Sequence, residues 1–156
     1  MFAVSALAAD KAAPAAPAPA AAAAAAPKMA VTPAAELKWA PLDPKSPMGL
    51  QVSMVEGDMA KGPVTFFLKL PAGSKSGLHA HTNDYFSVVI SGAPAHGVSD
   101  KDPGKPLAVG SMWFQPAKDM HHDSCTGDKE CVLLLHYPKG GFDFIPGPAA
   151  AVPAKK

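Results

Sequence analysis

Between Glu36 and Gly147 every apolar stretch is short, none longer than seven residues, and each is closed by Gly, Pro or a polar turn. The stretches are Leu50–Val55, Val64–Leu70, Tyr85–Ile90, Ser111–Gln115, Cys131–Tyr137 and Phe142–Ile145. Valine, isoleucine and aromatic residues dominate them, and none has the length a helix needs to bury a face. The intervening Gly57-Asp58, Pro71-Ala72-Gly73, Ser91-Gly92, Asp102-Pro103-Gly104 and Gly127-Asp128 are turn chemistry, with Ser91-Gly92 expected to close a hairpin. Strands of about six residues with a turn every 8–12 residues specify an all-β sandwich or barrel. About 110 residues is the size of a jelly roll of eight to eleven strands.

The flanks cannot extend that core. Met1–Ala9 is apolar and ends in Ala6-Leu7-Ala8, a small-x-small pattern of the kind cut by signal peptidase, though no basic residue precedes it. It reads as the remnant of a secretory signal whose true start lies upstream. Residues 10–35 are almost entirely Ala and Pro, a disordered, semi-rigid spacer, and residues 148–156 repeat that composition as a disordered tail. The large side chains therefore fall within residues 36–147, one domain. Nowhere do the roughly 20 consecutive apolar residues of a membrane-spanning helix occur.

Charge narrows the function. Lys+Arg is 14 and Asp+Glu is 13, and all the basic residues are Lys. A near-neutral chain has no field to gather nucleic acid. Without Arg it also lacks the planar fork that grips phosphates and carboxylates bidentately. The partner expected is a small, mostly neutral molecule, with Lys69, Lys75 or Lys118 as weak substitutes for an arginine clamp.

The chain has 6 His. His79 and His81 form a His-x-His in a strand-like stretch, which puts both on one face about 6.5–7 Å apart. Two imidazoles so placed can reach one ion at about 2.0–2.1 Å. Five residues separate Gly73 from His79, and Gly92 closes the following strand; Gly110, Pro116 and His121 make a second block. The two blocks resemble the paired motifs of the cupin superfamily, the RmlC-like jelly rolls. In the first motif Gly73, His79, His81 and Gly92 match in register, and in the second Gly110, Pro116 and His121 match. Three positions depart: Tyr85 stands where the family has a metal-binding Glu, Lys118 where it has Gly, and Cys125 where it has Asn. With Asn83-Asp84-Tyr85 and Gln115-Pro116, the chain looks like uncharacterised secreted bacterial cupins with Tyr at the Glu position. It is also similar to the cupin half of zinc-binding anti-sigma factors, without their separate helical half.

The resemblance implies a double-stranded β-helix barrel with a divalent metal, Zn or Fe, held by His79, His81 and His121. Such a three-imidazole site with an open position serves either as a Lewis acid or for O₂ activation. Tyr85, with an ordinary phenol pKa of about 10, is expected to donate or orient a proton rather than ligate, or else to be a plain core aromatic. His96 and Asp123 are candidate outer partners of the ligands, Asp123 because alternation puts it on the face of His121. The same alternation sends His122 outward to solvent, and His136 reads as a structural histidine. Cys125 and Cys131, either side of a polar Gly-containing loop read as a hairpin, are expected to form a disulfide; a second metal or redox site is the alternative. The sequence therefore supports a periplasmic or secreted metal-binding cupin of unsettled reaction, enzyme or not. A non-catalytic sensor or binding module and a metal-free sugar-binding or isomerase-type cupin remain open, as does a homodimer.

Overall fold

The longest apolar stretches become the centre of the structure. A computed structural model describes residues 28–99 and 101–148. The signal-like Met1–Ala9, most of the Ala/Pro spacer and the tail beyond Pro148 lie outside the described residues. The described residues from Thr32 onward form one compact unit. Apart from a three-residue 3-10 turn at Ala34–Glu36, its regular structure consists of strands. These are β1 Ala40–Pro41, β2 Gln51–Gly57, β3 Val64–Leu70, β4 His79–Ala80, β5 Tyr85–Ser91, β6 Ala93–Gly97, β7 Met112–Gln115, β8 His122–Thr126, β9 Cys131–Tyr137 and β10 Ile145–Pro146.

One wall is a sheet of order β1-β2-β3-β9-β5-β7. Its middle pair, β3 and β9, is antiparallel over its whole length, from Val64↔Tyr137 to Leu70↔Cys131. Alternation along both strands points Phe66, Leu68, Leu133, Leu135 and Tyr137 inward, where all are buried. They join Val52, Val64, Leu70, Tyr85 and Val89 in one buried core, whose removal from water stabilises the fold at about 25 cal/mol per Å² of apolar surface. The opposite wall is built from the pairs β10-β4 and β6-β8. Bridges at Lys75↔Ser124 and His79↔His121 join the two pairs, so the second wall runs β10-β4-β8-β6. Two facing antiparallel walls make the jelly roll expected from the turn spacing.

Three details differ from the sequence reading. The stretch Phe142–Ile145 is strand only at its end, in β10; Phe142 and Phe144 instead line the mouth of the barrel. Ser91-Gly92 closes no paired hairpin: β5 lies in the first wall and β6 in the second, so the chain turns a corner there. Gly92 has φ 80°, and a Cβ on it would stand 2.7 Å from the Glu130 carbonyl oxygen, which only glycine avoids. The loop between Cys125 and Cys131 likewise crosses from one wall to the other. The two cysteines are joined in a disulfide with a Cα–Cα distance of 5.6 Å, so the bond clamps wall to wall. Replacing both by Ser should cost about 2 kcal/mol, the value for so short a loop, measured as a shift in the urea midpoint.

Lys118 occupies the family's glycine position and keeps a glycine's backbone, with φ 65°. Its amide donates to the His81 carbonyl at 2.8 Å, so the left-handed turn is needed to hold the His81 strand end. A side chain in that conformation costs about 1–2 kcal/mol. Lys118→Gly should therefore raise stability by about 0.5–1 kcal/mol, after the entropy glycine adds to the unfolded chain. A thermal melt of that variant is the check.

Candidate metal centre

The three motif histidines are brought together by backbone pairing. His79 and His121 face each other in an antiparallel bridge, each amide donating to the other's carbonyl at 2.8 Å. His81 follows β4 on the same face. Ring centroids are 4.3 Å apart for His79 and His121, and 5.1 Å for His81 against either. One nitrogen from each lies within 4.8 Å of the others, and all three residues are buried.

Each ring has its Nδ1 on a backbone carbonyl. His79 Nδ1 donates to Gly77 at 2.9 Å, His121 Nδ1 donates to Asp119 at 3.2 Å, and His81 Nδ1 donates to Asp143. A carbonyl only accepts, so each Nδ1 carries a proton and Nε2 is left as the nitrogen that can ligate. Burial, the largest influence, pulls His81 below its ordinary pKa and His121 down to about 4. Both are therefore neutral at pH 7, the form in which imidazole ligates. A donor set of three imidazole nitrogens, each oriented by a hydrogen bond at Nδ1, fits a divalent transition ion.

Around this trio lies a polar frame. Asp123, at the start of β8, has its Oδ2 3.8 Å from both His79 Nε2 and His121 Nε2. Its Oδ1 accepts from His96 Nδ1 at 2.7 Å. The other nitrogen of His96 is 2.9 Å from Gln115 Oε1, and Gln115 Nε2 donates to the carbonyls of Pro116 and Asp119. His96 also stacks on Trp113, with centroids 4.7 Å apart. Burial pushes the Asp123 carboxyl up, but the His96 hydrogen bond and the attraction of His96, His121 and His79 to the carboxylate whenever those rings are protonated outweigh it and hold the carboxyl below its usual value. Gln115 escapes a sequence reading keyed to titratable residues. Its only signal is period-2 alternation, which places it inward with Trp113 and opposite Tyr85.

Tyr85, 1% exposed, donates its hydroxyl to His121 Nε2 at 3.3 Å and accepts from Trp113 Nε1 at 3.5 Å. Burial and the nearby Asp123 carboxylate raise its pKa well above the ordinary value, so the phenol is neutral. His122 is not solvated as alternation had it: it is fully buried, with Nε2 3.0 Å from the Ser99 carbonyl, because the Gly97–Gly104 loop folds over the outer face of β8. His136 lies on the sheet and pairs with Thr65 Oγ1 at 2.9 Å. Of the three lysines considered, only Lys75 lines the cavity; Lys69 is 3.2 Å from Glu130 and sits over the Trp39 ring, and Lys118 is exposed.

His79 and His81 line a cavity of about 480 Å³, with His121 behind them. Its walls are largely apolar, with Leu50, Leu68, Leu133, Leu135, Trp113 and Phe142 among them. Phe144 stacks on His79 at 4.5 Å beside the mouth. Asp143 is latched to Thr82 by both carboxylate oxygens, which holds the segment carrying Phe142 and Phe144 over the site.

A family model described as "Domain of unknown function (DUF4437)" matches residues 8–144. No curated protein matches the chain. Among solved structures, an RmlC-like cupin protein from Ralstonia eutropha is 18% identical with a TM-score of 0.56, covering 74% of this chain and 72% of its own. Polyketide cyclase RemF from Streptomyces resistomycificus is 12% identical with a TM-score of 0.62, covering 81% and 90%. Rhodobacter sphaeroides SigE in complex with the anti-sigma ChrR gives 14% identity and a TM-score of 0.51, covering 67% of this chain and 50% of that one. At these identities the likeness shows the cupin fold. No helix among the described residues is long and apolar enough to cross a membrane.

Proposed function

We propose the following for a chain that belongs to the DUF4437 family and has the cupin fold: it is a periplasmic or secreted metal-binding cupin. His79, His81 and His121 hold one divalent transition ion, Zn or Fe, at the floor of a cavity that takes a small, mostly neutral molecule. The observation that carries this reading is the set of three Nδ1–H···O=C bonds, which leave Nε2 as the ligand nitrogen of each imidazole in one buried cluster. The bound ion would supply Lewis acidity or, if iron, O₂ activation. The chain's own residues do the rest. Tyr85 keeps a proton beside the cluster, Trp113 fixes the phenol's direction, and the leucine walls exclude water from whatever enters. The apolar lining and the lack of arginine favour a ligand without a carboxylate or phosphate. Residues 36–147 form the working domain, and the wall-to-wall disulfide favours an oxidising compartment.

A second reading is a non-catalytic metal-dependent sensor or binding module. It is favoured by the scarcity of acid–base groups: outside the histidines and Tyr85, the titratable side chains lining the cavity are Asp43, Lys75 and Asp123 among the described residues. The test of both is the metal content of protein exported to the periplasm and purified without added metal, beside His121→Ala. One equivalent of Fe, lost in the variant, leads to O₂-uptake assays; one equivalent of Zn leaves Lewis-acid and sensing roles. A folded wild type without metal sinks the proposal.

A further inference from the structure

We propose that Asp123 is the fourth protein ligand of this centre, the carboxylate having moved from the Tyr85 position on β5 to β8. The inference rests on the three-histidine reading above and adds a residue to it. The first argument is distance. Two atoms bound to one ion at about 2.0–2.1 Å are at most about 4.2 Å apart, and about 3.4 Å in a tetrahedron. Asp123 Oδ2 stands 3.8 Å from both His79 Nε2 and His121 Nε2, inside that limit for each; it shares no cluster within 4.8 Å with His81, so the carboxylate closes on the ion from the His79–His121 side as the ion enters.

The second argument is orientation. Oδ1 is taken by His96 Nδ1, and His96 is anchored through Gln115 to two backbone carbonyls. The carboxylate therefore cannot turn away, and its second oxygen is aimed at the histidine nitrogens. A carboxylate ligand steadied by a hydrogen bond to its other oxygen is the usual outer support of a metal site.

The third argument is electrostatic. Oδ2 and the two Nε2 atoms are all acceptors, and lone pairs facing one another in a buried pocket repel. A cation between them turns that repulsion into attraction. Tyr85, by contrast, offers a neutral hydroxyl that already donates to His121. Asp123 thus makes the set three imidazoles and one carboxylate, with a net charge one unit lower than three histidines alone would leave.

The test is Zn²⁺ titration calorimetry together with the visible spectrum of the Co²⁺-loaded protein, for wild type, Asp123→Asn, His96→Gln and His121→Ala. We expect Asp123→Asn to bind Zn²⁺ more than about 100-fold more weakly, beyond the 10–100-fold typical of outer partners, and to shift the Co²⁺ bands. His96→Gln, a positioning change, should lose about 10-fold with the bands in place. An Asp123→Asn protein with wild-type affinity and an unchanged Co²⁺ spectrum, while His121→Ala loses the metal, overturns Asp123 as ligand and leaves the three-histidine site standing. A wild type that takes up neither ion overturns both. Should Asp123→Asn fail to fold, ¹³C-carboxylate NMR of aspartate-labelled wild type decides: the Asp123 resonance moves on adding Zn²⁺ if it ligates and stays if it does not.

Discussion

Zinc added to the metal-free protein should raise its stability by about 2.7 kcal/mol when free ion is a hundredfold above its dissociation constant. For a domain of this size that is a rise in thermal midpoint of roughly 10 °C. The gain should vanish in His121→Ala and His81→Ala, because each removes one of three lone pairs. Acid should erase it too, and the sign follows from the histidines. His121 titrates at about 4 in the folded chain against an ordinary 6.5, because burial disfavours its charged form. Between those values the unfolded chain binds more protons, so stability is full above about pH 6.5 and falls as pH drops toward 4, by up to about 1.4 kcal/mol per unit. His81 is lowered as well and acts in the same direction. Protons compete with the ion for His121 Nε2 only as pH nears 4, the folded value, so the zinc increment persists at about pH 5 and is lost below it. Melts with and without Zn²⁺ at about pH 7.5, about pH 5 and about pH 3.5 separate the two effects. A zinc shift of equal size in His121→Ala would show that the ion binds elsewhere.

The parts of the fold legible in the sequence are those in which burial and local propensity agree. Val64–Leu70 and Cys131–Tyr137 are rich in branched and aromatic residues, and the structure makes strands of the same bounds there. Strand β6, Ala-Pro-Ala-His-Gly, and strand β8, His-Asp-Ser-Cys-Thr, carry little β propensity and an interrupted pattern. They are strands because they pair with each other, from Ala93↔Thr126 to Gly97↔His122, under a wall already in place. The site divides along the same line. Motif spacing names His79, His81 and His121, and alternation places Asp123 with His121. What spacing cannot give is the direction of a carboxylate oxygen or a ring nitrogen. Those depend on how the backbone turns at Gly77 and Asp119, two residues before their histidines, on the Asp143 carbonyl of a distant loop, and on Gln115 at the end of β7. His122 departs from its expected place because alternation assumes an uncovered outer face, and here a loop covers it.

Tyr85→Glu, which restores the residue the wider superfamily carries, should destabilise the metal-free protein by about 3–5 kcal/mol. Tyr85 is stacked on Tyr137 with centroids 5.0 Å apart and meets the His81 ring edge-on at 5.2 Å. Glutamate loses those contacts and leaves space behind. It also buries a second carboxyl in the field of Asp123, the group that already raises the Tyr85 phenol's pKa. Tyr85→Phe keeps the ring and strands only the Trp113 N–H and one acceptor, a cost of about 1–2 kcal/mol. Zinc should separate the two further, since a metal-bound carboxylate at this position recovers part of its burial cost while phenylalanine recovers none. The zinc-induced rise in midpoint should therefore be larger in Tyr85→Glu than in wild type, and close to wild type in Tyr85→Phe. Equal metal-free stabilities for the two variants would mean that position 85 is wet and loosely packed, contrary to its 1% exposure. The expected inequality also explains why Tyr and Asp occur together here. A dry pocket holding one ionised carboxylate at Asp123 tolerates a neutral phenol beside it far better than a second negative charge.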